Sequence, residues 1–244
     1  MPGLTDFFDS FMNIPASLAR SIAPLGVLRA AISLSNPVLA SSKTSTEKPA
    51  GVTVDLARSF AGQLGIHAEL VCLERAADAT AALMNGDADI AFLAIDQDRA
   101  EKLAFTQAYL YIEGAYAVSN ESSLQTHEEV DMPDTEIVVG AGSAYDLFLQ
   151  RHLIRARLRR VARSDQVTAH ALRSPGAVAA GVRQQLEADI FRLSAEGYSM
   201  RMLQGNFMII QQAAAMTHDR GTHALTGLNS LVEQSVRSGF VAEA

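Results

Sequence analysis

The chain has 244 residues, 48% of them hydrophobic and 19% charged, with a formal net charge of −7. That length is long for one ordinary domain and short for two, so one large or two intertwined units are expected, and the composition excludes disordered and fibrous classes. The negative charge argues against nucleic acid as the main partner. Cys72 is the single cysteine, which excludes an intramolecular disulfide and a cysteine-based zinc site, and a chain without tryptophan offers little for stacking sugars or bases.

No segment is apolar enough to insert into a membrane. A spanning helix needs roughly 18 apolar residues or more, and the best stretch, residues 22–34, is interrupted by Pro24, Gly26 and Arg29. The opening residues place Asp6 and Asp9 before the first cation, Arg20. That is the opposite of a secretory signal, so the sequence as written carries no export address: either the protein works in the cytoplasm or the true start lies upstream.

Residues 28–34 form a short apolar run, read as a buried strand. In residues 51–65 the apolar positions Val54, Leu56, Ala57, Phe60, Ala61 and Leu64 share one helical face, with Gly65 as C-cap. Residues 67–73 alternate as a strand, 76–84 read as a short helix stopped by Asn85 and Gly86, and 88–94 as a buried strand. Strand and helix alternating with short links predict a parallel sheet flanked by helices. The theme repeats: a strand over 135–142 ending in glycines, a helix from Ser143, a helix over 166–172, a small-residue strand over 177–182, a helix from Arg183, and a closing helix over 225–238. Two strand-like segments, 113–119 and 207–216, separate the two α/β units, and the chain crosses between them at each.

In this order the chain resembles the type II periplasmic-binding-protein-like family, specifically the substrate-binding proteins of polar amino-acid ABC transporters. APLGVLRAAIS (residues 23–33) is similar to the family's opening strand and GVTVDLARSFAGQLG to its first helix. LMNGDADIAFLAIDQDRAEKLAFTQAYL (residues 83–110) is similar to its most diagnostic stretch. IVVGAGSAYD resembles the opening of the second lobe and RSGFV the closing turn. The resemblance implies an α/β fold of two lobes, each a mostly parallel sheet flanked by helices. Residues 20–114 with 209–244 would form the first lobe, 115–208 the second, and 1–19 an N-terminal extension. It implies closure on a small carboxylate-bearing solute, an ABC transporter permease as partner, a periplasmic location for family members, and neither metal nor cofactor.

Arg99 matches the family's carboxylate-binding arginine. A guanidinium presents a planar fork to both oxygens of a carboxylate; the alternative is an exposed arginine paired with Asp96 or Glu101. The loop Gly142-Ser143-Ala144-Tyr145 precedes a helix, whose first N–H groups attract anions. Ser143 also reads as an N-cap with Asp146 completing a pattern close to a capping box. By resemblance, Ser143 and the Ala144 N–H grip the carboxylate from the second lobe. Phe92, Leu93 and Ala94 fall where the family lines its first-lobe pocket, and being apolar they leave polar contacts to their backbone. Asn36, before Pro37, is either a polar side chain at the mouth or a turn residue.

The match fails at the amine site. Relatives usually carry an acid at the end of the second-lobe strand; here Val182 stands there, followed by Arg183. Arg183 facing Arg99 would favour a ligand with a second anionic group, although a surface position at a helix start is the plainer reading. Glu113 or Asp96 are the alternative amine partners. The arginines between Arg151 and Arg163 are either an anionic docking patch or a solvated helix end and edge strand. His218 and His223 lack metal-ligand spacing, and no catalytic motif occurs. The favoured class is therefore a binding protein without chemistry. An enzyme on the same fold, of the cyclohexadienyl dehydratase kind, and a ligand-sensing subunit remain the alternatives.

Overall fold

The computed structural model describes residues 14–42 and 48–243. The chain begins with α1 (Ala16–Ile22), β1 (Val27–Ser33), α2 (Val52–Gln63), β2 (His67–Leu73), α3 (Ala76–Met84), β3 (Ile90–Ala94) and α4 (Gln97–Ala100). It continues through β4 (Leu103–Ser119), β5 (Glu136–Gly140), α5 (Ala144–His152), β6 (Arg157–Val161), α6 (Val167–Leu172), β7 (Val178–Val182) and α7 (Arg183–Ala195). It closes with β8 (Met200–Met202), β9 (Met208–Thr217), α8 (Gly221–Arg237) and α9 (Phe240–Glu243).

The strands run in the order β2-β1-β3-β9-β4-β7-β5-β6, with β8 added on β4. β1 pairs in parallel with β2 and β3, and β5 in parallel with β6 and β7. These are the two α/β units. Between them lie β4 and β9, which pair antiparallel to each other and attach to β7 on one side and β3 on the other. β4 is longer than the sequence suggests because bulges between Phe105, Ala108 and Leu110 break its alternation.

Burial explains the local choices. On α2, Val54, Leu56, Ala57 and Phe60 are fully buried, each of the larger side chains contributing about 1.5–3 kcal/mol. Gly51, before α2, takes φ 126, and a Cβ there would lie 2.6 Å from the Leu39 carbonyl oxygen. β6 occupies one end of the sheet, and its arginines are largely paired: Arg159 with Glu136, Arg160 with Asp146, and, beyond the strand, Arg163 with Asp165. The basic run is thus a helix end and an edge strand.

The N-terminal extension falls partly on residues 1–13, outside the described residues. Its remainder enters the fold. α1 straddles the boundary drawn at residue 20, buries Ala19 and Ile22, and sets Leu18 so close to Gly227 of α8 that a Cβ there would lie 2.3 Å from it.

Candidate ligand-binding site

In sheets of this kind the crevice forms where strands end and helices begin. Here Ser33 ends β1 and Ser35 follows it, Ala94 ends β3, Ser164 follows β6, and Gly181 and Val182 end β7. All of them line one cleft with about 740 Å³ of empty space, open mouth included. Thr53, Ala76, Ala144, Tyr145, Gln185 and Leu186 line it from the first turns of α2, α3, α5 and α7. Helix N-termini carry partial positive charge, so the cleft is biased toward anions by its backbone alone.

Arg99 supplies the full charge. It is only 5% exposed. Its guanidinium donates to the carbonyls of Ala94, at 3.1 Å, and Gly142, at 2.9 Å. Among the described residues no carboxylate lies within ion-pair distance of it. Burial pushes it below its ordinary pKa, with Asp96 and Asp98 opposing from a distance; a guanidinium stays charged regardless. No aspartate or glutamate is among the described residues lining the cleft.

Around the loop, Ser143 caps α5 by accepting from the Asp146 N–H at 3.1 Å. The reciprocal bond runs from the Gly142 N–H to Asp146, at 2.9 Å, rather than from Ser143 itself. This leaves the Ala144 and Tyr145 N–H groups, which have no acceptor within the helix, at the cleft wall. Burial raises the Tyr145 hydroxyl pKa, partly offset by the Ser164 and Ser143 hydroxyls. Gly142 is not among the described lining residues: it holds φ +70, and a Cβ there would stand 3.0 Å from Ala77 on α3.

The structure brings Asn36, Phe92, Leu93, Ala94, Arg99, Ser143, Ala144 and Tyr145 to one cleft. Asn36 lines the cleft, and its side-chain oxygen also accepts from the Val38 N–H at 3.1 Å. Phe92 packs edge-on against Tyr109 and tilted against Phe60. Arg183 is not among the described residues lining that cleft; it pairs with Glu113 and donates to the Gly205 carbonyl at 2.6 Å. Arg183 is the first residue of α7 and Gln185 the third, about 200° apart around the helix, so the face that carries Gln185 into the cleft turns Arg183 away. Glu113 is thereby occupied. Asp96 is occupied too, capping α4 and pairing with Arg151.

Sequence reasoning passed over Thr53, Ser164, Gln185 and Gln212. The first three sit at or beside strand-to-helix junctions, and reading every such junction as cleft wall would have found them. Gln212 lies within a crossing strand, where nothing local marks it.

Arg151 of α5 reaches across to α4, bonding Asp98 at 3.0 Å as well as Asp96. Arg151→Gln is expected to remove about 1 kcal/mol of contact between the units, a roughly fivefold shift toward an open form. Small-angle scattering of the ligand-free protein should show a larger radius of gyration, reproduced in wild type by high salt. Coincident curves would refute the latch.

The sequence model for bacterial extracellular solute-binding proteins, family 3, matches residues 28–239. The chain belongs to this family. Among solved structures, a P235GK mutant of ArgBP from T. maritima superposes with a TM-score of 0.75 at 18% identity, covering 93% of this chain and 96% of that one. The amino acid ABC transporter substrate-binding protein AbpA from Streptococcus pneumoniae, bound to L-arginine, gives 0.77 at 15% identity over 92% and 94%. The ancestral amino acid-binding protein AncCDT-1, a precursor of cyclohexadienyl dehydratase, gives 0.73 at 18% over 92% and 96%. At these identities the likeness concerns the fold. A membrane-bound lytic murein transglycosylase F from Maricaulis maris is 34% identical over 100 residues, which is 40% of this chain and spans 22% of that protein's length. Among the described residues no helix is long and apolar enough to cross a membrane.

Proposed function

We propose that this family member is a solute-binding protein that closes two lobes, residues 20–114 with 209–244 and residues 115–208, on a small organic anion. It would serve as the substrate-binding component of an ABC transporter. One observation carries the choice of ligand: Arg99 stands buried in a cleft wall with no carboxylate partner among the described residues. A buried cation without compensation is costly, and a ligand carboxylate would supply what is missing. Arg183 no longer supports a dicarboxylate, since its charge is spent on Glu113 and Glu187. The transporter role rests on the family and on neighbours such as AbpA. The family's description as extracellular supports a working site outside the cytoplasm.

The dehydratase alternative draws on the AncCDT-1 likeness. Against it, the described cleft lining holds no aspartate, glutamate, histidine or lysine to move a proton. A thermal-shift screen across carboxylic acids, followed by analysis of the recovered compound, separates the readings. Binding at a hundredfold excess over Kd adds about 2.7 kcal/mol, a rise of roughly 5–10 °C for a chain of this size. The binding reading expects the acid back unchanged; a converted product would establish an enzyme.

A further inference from the structure

We propose that the cleft selects acids whose second polar group is uncharged, taking 2-hydroxy acids in preference to the matching α-amino acids, and that Gln185 sets this choice. The inference rests on the carboxylate reading of Arg99 and adds what lies beside that carboxylate.

Gln185 reaches the cleft from the first turn of α7. Its side-chain nitrogen donates to Asp189 at 3.0 Å. Asp189 is buried, and its other oxygen accepts from the Thr168 hydroxyl at 2.7 Å. A carboxylate can only accept hydrogen bonds. One N–H of the Gln185 amide is therefore committed to Asp189, which fixes the amide's orientation and leaves its oxygen, a neutral acceptor, beside the second N–H. Gln212 stands on β9, 6% exposed, its backbone spent in the sheet; its side-chain amide bonds to no described group and lines the same cleft. It offers one further acceptor and two donors.

These groups suit a hydroxyl and do not suit an ammonium. A hydroxyl donates one proton, which Gln185 can take, and accepts another, which Gln212 can give. An ammonium brings a full positive charge into a wall that already holds Arg99 and the N-terminal ends of α2, α3, α5 and α7. Asp189, which Gln185 touches, is not among the described lining residues and is already engaged by Gln185, Thr168 and Arg192. Exchanging the ammonium for a hydroxyl leaves the carboxylate to Arg99 and removes the uncompensated charge.

The experiment uses matched sets on the full chain: leucine, 2-hydroxy-4-methylpentanoate and 4-methylpentanoate; phenylalanine, 3-phenyllactate and 3-phenylpropanoate; glutamate, 2-hydroxyglutarate and glutarate. Affinities are measured by calorimetry after a thermal-shift screen. In any set that binds, the hydroxy acid should bind at least about tenfold more tightly than its amino acid, a difference of about 1.4 kcal/mol. Gln185→Met should lower the hydroxy acid's affinity by a similar factor while leaving the unsubstituted acid unchanged, a contrast that a merely structural loss would not produce. Val182→Asp, which places a carboxylate in the wall at a position suited to a helix cap, should admit the amino acid. Tighter binding of the amino acid in the sets that bind would overturn this inference while leaving the carboxylate reading standing. Binding of no acid in any set would overturn both.

Discussion

Arg99→Ala should weaken carboxylate binding by at least tenfold and leave the ligand-free fold nearly as stable as before. Truncating one member of a buried, hydrogen-bonded charge pair costs on the order of 2–5 kcal/mol in binding, and 1.4 kcal/mol already corresponds to about tenfold. The fold should tolerate the change because the guanidinium's described partners are two backbone carbonyls, Ala94 and Gly142, and no carboxylate. What the fold loses in those bonds it regains in part by no longer burying an uncompensated cation. The second bond links α4 to the loop before α5, so some loosening between the units should accompany the loss. Calorimetry with the acid found in the thermal-shift screen reads the first effect and melting of the ligand-free protein the second. Unaltered affinity would remove Arg99 from the site. A collapse in stability would mean that its role is structural.

Much of this was legible in the sequence because it is local. The apolar face of α2, the alternation in β2, the small-residue run in β7 and the glycine-flanked loop before α5 each show their periodicity within a dozen residues. Arg99 stood out because its neighbours resemble a known ligand-binding turn, and the structure sets it in the cleft wall. The crossing segments showed themselves as strands, but the extent of β4 did not, because its bulges cancel the period of two that marks a strand.

The remainder depends on partners far away in the chain. Nothing near Arg183 reveals Glu113, 70 positions earlier, or the Gly205 carbonyl that holds its other end. Which of Arg183 and Gln185 enters the cleft depends on the rotation of α7 against β7, where Leu186 lies against Gly181, a placement made by packing. The committed orientation of Gln185 likewise requires Thr168 and Asp189 to meet across two helices. α1 is too short to show a face in the sequence, and acquires one only where α8 presents Gly227 to Leu18.

Asp89→Asn should be the most destabilising of the single changes considered, with no effect on ligand binding. The Asp89 carboxylate is fully buried and gathers β1, β3 and the turn after β9 at the sheet end away from the cleft. It accepts from the Arg29 backbone N–H at 3.0 Å, from the Arg29 guanidinium at 3.1 and 2.8 Å, and from Arg220 at 2.9 Å. Those donors come from β1 and from the turn after β9, while Asp89 itself leads into β3. The bond to Asp89 raises the Arg29 guanidinium above its ordinary value against the opposing effect of burial. An asparagine keeps the shape but presents an amide N–H₂ to one guanidinium and removes the carboxylate that both arginines share, leaving Arg29 only the more distant Glu69 and Asp87. Removing one member of a buried pair costs about 3–5 kcal/mol. Both arginine side chains retain 18% exposure, which lets water relieve part of the loss, so about 3 kcal/mol is expected. For a chain of this size that is a fall of roughly 6–12 °C in Tm. The cleft lies at the opposite ends of β1 and β3, so affinity for a carboxylate should hold at a temperature where both proteins are folded. A Tm within about 2 °C of wild type, the effect of less than 1 kcal/mol, would show that the cluster holds nothing together. Lost affinity in a folded variant would show that the two ends of the sheet are coupled.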